Sequence, residues 1–195
     1  MSDIRTMKVL GIIGKSGFGK TTLIARLIGE LSVRGFSVST IKYAKDGVDL
    51  DSRGKDSYVH RQSGAREVAL VSPSRWALLH ERRGAAGLPP VAELIAAMSP
   101  VDVLLIEGMQ EKEFDCIEIQ REGREGVEFD HPRKIAIVSD KRDVMARVPN
   151  LDINAPKEIC EFLLRYWKLR APTSALRYLD IEVDDAIEIA ENFDI

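Results

Sequence analysis

The segment Gly14-Lys15-Ser16-Gly17-Phe18-Gly19-Lys20-Thr21 constrains this chain more than any other. It places a glycine, four free positions and then Gly-Lys-Thr in a row, the spacing that lets a backbone wrap around a phosphate with its N–H groups turned inward. The flanks matter as much. Lys8-Val9-Leu10-Gly11-Ile12-Ile13 reads as a buried strand. Thr22 through Arg34 reads as a helix, with Leu23, Ile24, Leu27, Ile28 and Leu31 on one face. Strand, glycine loop and helix in that order separate a phosphate cradle from an ordinary glycine-rich turn. The expected nucleotide-binding residues are Gly14, Lys15, Ser16, Gly17, Phe18, Gly19, Lys20, Thr21 and Thr22. Lys20 is placed to reach the β- and γ-phosphates, and the Thr21 hydroxyl to hold a magnesium ion.

The rest of the chain supplies the framework for such a loop. Phe36 to Ile41 alternates as a strand, and Gly35 suits the cap of the preceding helix. A carboxylate-rich loop is expected from Asp46 to Asp56, then a short helix from Ser57 to Ser63. Val68 to Val71 and Trp76 to Leu79 read as two short strands joined by Ser72-Pro73-Ser74. Pro90 opens a helix through Met98, and Val101 to Ile106 is the continuous apolar run of a central parallel strand. Cys116 to Gln120 and Lys134 to Val138 are further strands with a charged hairpin, Arg121 to Gly126, between them, and Lys157 to Trp167 is a helix. The alternation predicts an α/β fold: a three-layer phosphate-loop NTPase architecture whose mostly parallel sheet carries a short antiparallel departure. Residues 1–170 form its nucleotide-binding domain. Residues 171–195, acidic and without Lys or Arg beyond Arg177, form a C-terminal extension.

Magnesium needs a carboxylate at the carboxyl end of a neighbouring strand. In Asp102-Val103-Leu104-Leu105-Ile106-Glu107-Gly108 the two acids stand about 16 Å apart in extended chain, and strand polarity selects Glu107. In the loop after the second strand, Asp49 and Asp51 are candidates to hold magnesium or orient a water, against the alternative of a solvated turn. Lys20, Asp51 and Glu107 are thus the candidate catalytic residues, and Thr21, Asp51 and Glu107 the candidate metal ligands. Asp140 ends another strand. A carboxylate there accepts hydrogen bonds from guanine N1–H and the 2-amino group, which adenine does not offer, so GTP is the expected nucleotide; a capping aspartate in an ordinary turn is the alternative.

Composition narrows the partners. A net charge of −3 and a pI near 5.7 argue against a general nucleic-acid binder. No apolar run approaches the length of a membrane span, and the apolar stretch near Met1 leads straight into the phosphate loop, so a cytoplasmic protein is expected. Cys116 and Cys160 are far apart, lack a nearby Cys or His at ligand spacing, and read as core thiols.

Taken together, the motifs resemble the MobB family, the molybdopterin-guanine dinucleotide biosynthesis protein B. The likeness runs from about Lys8 to Lys168 and rests on Gly17-x-Gly19-Lys20-Thr21-Thr22-Leu23, Thr40-Ile41-Lys42, Asp49-x-Asp51, Gly54-Lys55-Asp56-Ser57 and Ser63-Gly64-Ala65. Ser72-Pro73, Arg75-Trp76-Ala77-Leu78, Glu107-Gly108, Ser139-Asp140 and Leu151-Asp152-Ile153-Asn154 complete it. The resemblance implies a dimeric GTP-binding adapter with weak magnesium-dependent GTPase activity. Such a protein assists a MobA-like molybdopterin guanylyltransferase in attaching GMP to molybdopterin. Two departures stand out: Tyr43, Ala44, Lys45 and Asp46 where the family usually carries histidines, and Met109 in place of its usual phenylalanine. Arg53, Lys55 and Arg75 are candidates to meet molybdopterin or the transferase. Lys15 is a candidate to reach the phosphates of a partner subunit. A small-molecule kinase, which would need an arginine-rich lid, and a metal-delivery GTPase, which would need a Cys/His cluster, are the competing readings.

Overall fold

The computed structural model describes residues 7–44, 51–84, 87–108, 111–123, 129–141, 144 and 146–171. Asp49, the segment 45–46, Met109 and the acidic residues 172–195 lie outside them. The described residues fall into two compact units, within Met1–Tyr43 plus Leu94–Ile195 and within Ala44–Glu93.

The first unit is built around β1 (Lys8–Ile13), which is apolar almost throughout because neighbours pair with both its edges and both its faces are covered. On one side it pairs in parallel with β5 (Val103–Glu107), with Ile12 opposite Glu107. On the other it pairs in parallel with β6 (Asp115–Gln120), with Ile13 opposite Glu118. β2 (Val38–Lys42) lies beyond β5; β7 (Lys134–Ser139) and β8 (Asn150–Asp152) lie beyond β6. The sheet order is therefore β2-β5-β1-β6-β7-β8, with every pairing parallel. Leu10, Ile12, Val103, Leu105, Ile117, Ile119 and Val138 share a core with Leu23, Leu27 and Leu31 of α1 (Lys20–Val33) and with Ile159, Cys160 and Leu163 of α4 (Pro156–Tyr166). The alternate residues Leu104, Ile106, Cys116 and Ile137 are equally buried, so both faces of the sheet are covered. That double burial produces the continuous apolar runs seen in the sequence.

The second unit holds α2 (Asp56–Gln62) and an antiparallel ribbon of β3 (Glu67–Val71) and β4 (Trp76–His80). Val68 and Leu79, opposite one another, are buried. The other ribbon face carries Ala69, Val71, Trp76 and Leu78, all exposed, with Trp76 at 70%. Here the expected antiparallel departure forms a separate two-stranded sheet. α3 (Val91–Ala97) spans the division between the units.

Two readings of the second half are corrected. β6 and β7 run parallel, with Ile117 opposite Ala136, so they are not the two arms of one hairpin; residues 124–128 of the expected hairpin lie outside the described residues. A glycine-rich charged stretch looks the same between parallel strands as in a hairpin. The short strand β8 was not expected: three residues carry too little alternation to register.

Burial pushes the Cys116 thiol up to about 12 and the Cys160 thiol up to about 11, so both stay protonated core groups. Between β6 and β7 lies a buried ion pair: the Lys134 ammonium donates to Glu118 Oε2 at 2.8 Å and to the Phe129 carbonyl at 3.1 Å. Glu118 Oε1 accepts from the Gln120 amide at 3.2 Å. With Glu118 only 2% exposed, removing one partner strands a charge in the core. Lys134→Met is expected to cost about 3–5 kcal/mol in urea unfolding, and adding Glu118→Gln to recover much of it. Independent, additive losses would show that the pair is not coupled.

Candidate functional site

Six residues carry the chain from the end of β1 to the start of α1. Their geometry depends on two glycines with positive φ. At Gly14 (φ 147°) a Cβ would stand 3.0 Å from the carbonyl oxygen of Ile119 on β6. At Gly19 (φ 89°), the N-cap of α1, a Cβ would stand 2.9 Å from the Arg121 guanidinium. At Gly14 the backbone conformation and the Ile119 main chain together exclude a side chain, while at Gly19 the positive φ disfavours one and the Arg121 tip would have to shift. Phe18, between them, points into the core and anchors the loop; it offers the site its backbone rather than its ring. Ser16 and Lys15 lie on the exposed side of the loop, and Thr22 is half-buried in the first turn of α1.

Lys20 and Thr21 stand at the start of α1. The Lys20 ammonium donates to the carbonyls of Gly14 at 3.0 Å and Lys15 at 2.8 Å, closing the loop on itself. Its burial lowers the ammonium pKa, opposed by Glu107 and reinforced by Lys42. The Thr21 hydroxyl lies 3.2 and 3.1 Å from the two carboxylate oxygens of Glu107. Glu107 ends β5, with Ile12 of β1 and Lys42 of β2 opposite it, and the Lys42 ammonium is 3.9 Å from its Oε1. Of the two acids at the ends of β5, Glu107 is therefore the one that stands beside the loop. Asp102, at the other end of β5, accepts instead from the backbone N–H and hydroxyl of Ser37, both at 2.8 Å. A hydroxyl and a carboxylate converging beside a lysine-bearing phosphate loop are hard oxygen donors that suit magnesium.

On the opposite side of the loop, beyond β6, stands Asp140. Its Oδ1 accepts from the Glu122 backbone N–H at 2.7 Å and its Oδ2 from Arg121 at 3.2 Å. Burial raises the carboxyl pKa, but these two donors outweigh it and hold the group below the usual carboxylate range. The Arg121 Nε–H also donates to the carbonyl of Phe18 at 3.1 Å. Sequence reasoning did not single out Arg121. Its signal was its position, directly after β6 at the carboxyl end of the sheet, where ligand-binding loops gather.

Asp51 lies in the second unit, with its carboxylate held by Arg61: Nε–H donates to Oδ2 at 3.0 Å and the terminal nitrogen to Oδ1. Arg61 also donates to Glu81 at 2.7 Å and sits over the Tyr58 ring at 5.8 Å. The Arg61 hydrogen bonds, against opposing desolvation, hold the Asp51 carboxyl below its ordinary range. Arg53, Lys55 and Arg75, also in this unit, are exposed.

A parallel sheet with a glycine loop at its switch point, where β1 feeds between β5 and β6, defines a phosphate-loop nucleotide-binding fold. The chain belongs to the family of molybdopterin guanine dinucleotide synthesis protein B, whose model matches residues 9–140. It is 32% identical over 170 residues to the molybdopterin-guanine dinucleotide biosynthesis adapter protein of Escherichia coli (strain K12), covering 85% of this chain and 97% of that one. It is 30% identical over 155 residues to the adapter protein of Haemophilus influenzae, covering 80% and 86%. Among solved structures, a crystal structure of molybdopterin-guanine biosynthesis protein B matches with a TM-score of 0.64 at 26% identity, over 81% of this chain and 99% of that chain. The MobB homologue from Bacillus stearothermophilus, at 17% identity, shares the fold with a TM-score of 0.61, over 84% of this chain and 100% of that chain.

The pair formed by Thr21 and Glu107 makes a direct expectation. Thr21→Val should remove most of the gain in GTP affinity that magnesium confers, measured by calorimetry with and without the ion. A variant that responds to magnesium as the wild type does would place the metal elsewhere.

Proposed function

We propose that this chain is a GTP-binding adapter in molybdopterin guanine dinucleotide biosynthesis, with weak magnesium-dependent GTPase activity. It assists a MobA-like guanylyltransferase in attaching GMP to molybdopterin. The observation that carries this reading is the juxtaposition of Lys20, Thr21 and Glu107 around the glycine loop in a chain of this family. Lys20 exchanges its two loop carbonyls for the β- and γ-phosphates. Thr21 and Glu107 hold magnesium, which when bound neutralises phosphate charge. Asp51, whose two oxygens accept from Arg61, is the further carboxylate proposed to serve magnesium or an attacking water. Asp140 reads guanine through the acceptor capacity left on its carboxylate.

Adapter work needs surfaces as well as a nucleotide site. Arg53, Lys55 and Arg75 offer positive charge to molybdopterin or to the transferase. A homodimer is supported by the exposed apolar ribbon face of Val71, Trp76 and Leu78, and Lys15 on the open side of the loop is the residue proposed to reach a partner's phosphates. The working compartment is the cytoplasm; no helix of the described residues is long and apolar enough to cross a membrane.

Lys20→Ala should abolish tight GTP binding in calorimetry while the melting transition persists, because a charge-assisted contact in a partly desolvated loop is about twice as strong as a neutral one. Unchanged affinity would sink the nucleotide assignment. Lys55→Glu should weaken capture of the transferase and leave GTP affinity as it was; capture indifferent to the substitution removes Lys55 from the surface. In sedimentation, the dimer population of wild type should respond to GTP and magnesium more than that of Lys15→Ala, and an identical response leaves Lys15 as a surface charge.

A further inference from the structure

The two sides of the phosphate loop differ in kind. On the β5 side stand Thr21 and Glu107, within 3.2 Å of each other, the pair proposed above for the terminal phosphates and a metal. On the β6 and β7 side stand Arg121 and Asp140. With the β- and γ-phosphates assigned to Lys20 and Thr21, the β6 and β7 side, where Asp140 stands, is the side left for the nucleoside end.

Arg121 joins the pieces on that side. Its Nε–H donates to the carbonyl of Phe18, within the loop, at 3.1 Å. One terminal nitrogen donates to Asp140 Oδ2 at 3.2 Å. The other lies over Gly19, where a Cβ would meet it at 2.9 Å. The planar fork of a guanidinium makes all three approaches from one fixed geometry, which the point charge of a lysine ammonium cannot. The side chain is 30% exposed, so it is held in place yet open on one face. Glu122 N–H fixes the second oxygen of Asp140 at 2.7 Å. The carboxylate is thereby set in register with the loop that grips the phosphates.

We infer that Arg121 is a positioning residue for base selection: it locks the Asp140 carboxylate to the phosphate loop, so that a base is read at a fixed distance from its own phosphates. This rests on the reading of Asp140 as the guanine acceptor. It adds that discrimination requires the Arg121 fork and not merely the aspartate. The loop itself does not need Arg121 to keep its shape, since the Phe18 ring anchors it in the core and the Gly14 and Gly19 backbone sets its turn whether or not Lys20 is drawn away to phosphate.

The experiment compares Arg121→Lys, Arg121→Ala and Asp140→Asn by calorimetry against GTP, ATP, xanthosine triphosphate and inorganic tripolyphosphate, all with magnesium. Tripolyphosphate reads the phosphate grip alone. Both Arg121 variants should bind it as the wild type does, while their preference for GTP over ATP falls by about tenfold or more, the scale set by losing one charge-assisted contact. Asp140→Asn should lose the GTP preference and gain affinity for xanthosine triphosphate, whose 2-oxo group accepts from the new amide. If Asp140→Asn keeps the wild-type preference, the guanine reading fails and the inference falls with it. If Asp140→Asn switches as expected while Arg121→Lys and Arg121→Ala keep the wild-type ratio, the inference about Arg121 alone is overturned. A parallel loss of GTP, ATP and tripolyphosphate binding in the Arg121 variants assigns the residue to loop integrity, and overturns it equally.

Discussion

Everything functional in this chain depends on β1 being paired along both edges. A strand flanked in parallel by β5 and β6 brings three carboxyl ends to one point, and the chain leaving β1 there must turn into a helix within six residues. The turn is possible because Gly14 and Gly19 adopt conformations that L side chains rarely reach, and at Gly14 the Ile119 main chain leaves little room for a Cβ. The register with Ile12 opposite Glu107 then sets the carboxylate beside the first turn of α1, and Thr21 meets a residue 86 positions away. A shift by one residue would turn Glu107 to the other face of the sheet and separate the pair.

The strand-to-strand packing also decides which charges are available for chemistry. Glu118 on β6 faces the buried layer and is satisfied by Lys134, so it is structural although it stands only three residues from Arg121. Arg61 is likewise consumed, by Asp51 and Glu81 together. Glu107 keeps a different character: the Lys42 ammonium is 3.9 Å away and largely exposed, and the carboxylate accepts from the neutral Thr21 hydroxyl. A neutral donor yields to a divalent cation far more readily than a guanidinium would.

How much of this was legible beforehand follows from the range of each interaction. The phosphate loop, β1 and α1 are local: glycine spacing and a 3.6-residue apolar stripe lie within thirty residues of sequence, and the structure reproduces them with α1 beginning at Lys20. Glu107 was legible because a parallel strand has a polarity that selects one of its two terminal acids. Arg121 was not, because its contacts span 103 and 19 positions and no short motif marks it. Asp51 looked free in sequence because its partner sits ten residues on, across the start of α2, where charge alone does not announce a bidentate pair. The parallel run of β6 and β7 was hidden for a simpler reason: turn-rich composition describes a crossover and a hairpin alike.

The ribbon of β3 and β4 has a consequence of a different kind. Two strands make a sheet with two unpaired edges, and this one also presents Val71, Trp76 and Leu78 to water on a single face. A short apolar ribbon with open edges is the kind of surface to which a further strand can add. The turn through Pro73 and the hydrogen bond between His80 and Glu67 at the far end interrupt only its ends. Newly made chains that outnumber the surfaces able to cover the ribbon are therefore most adhesive there.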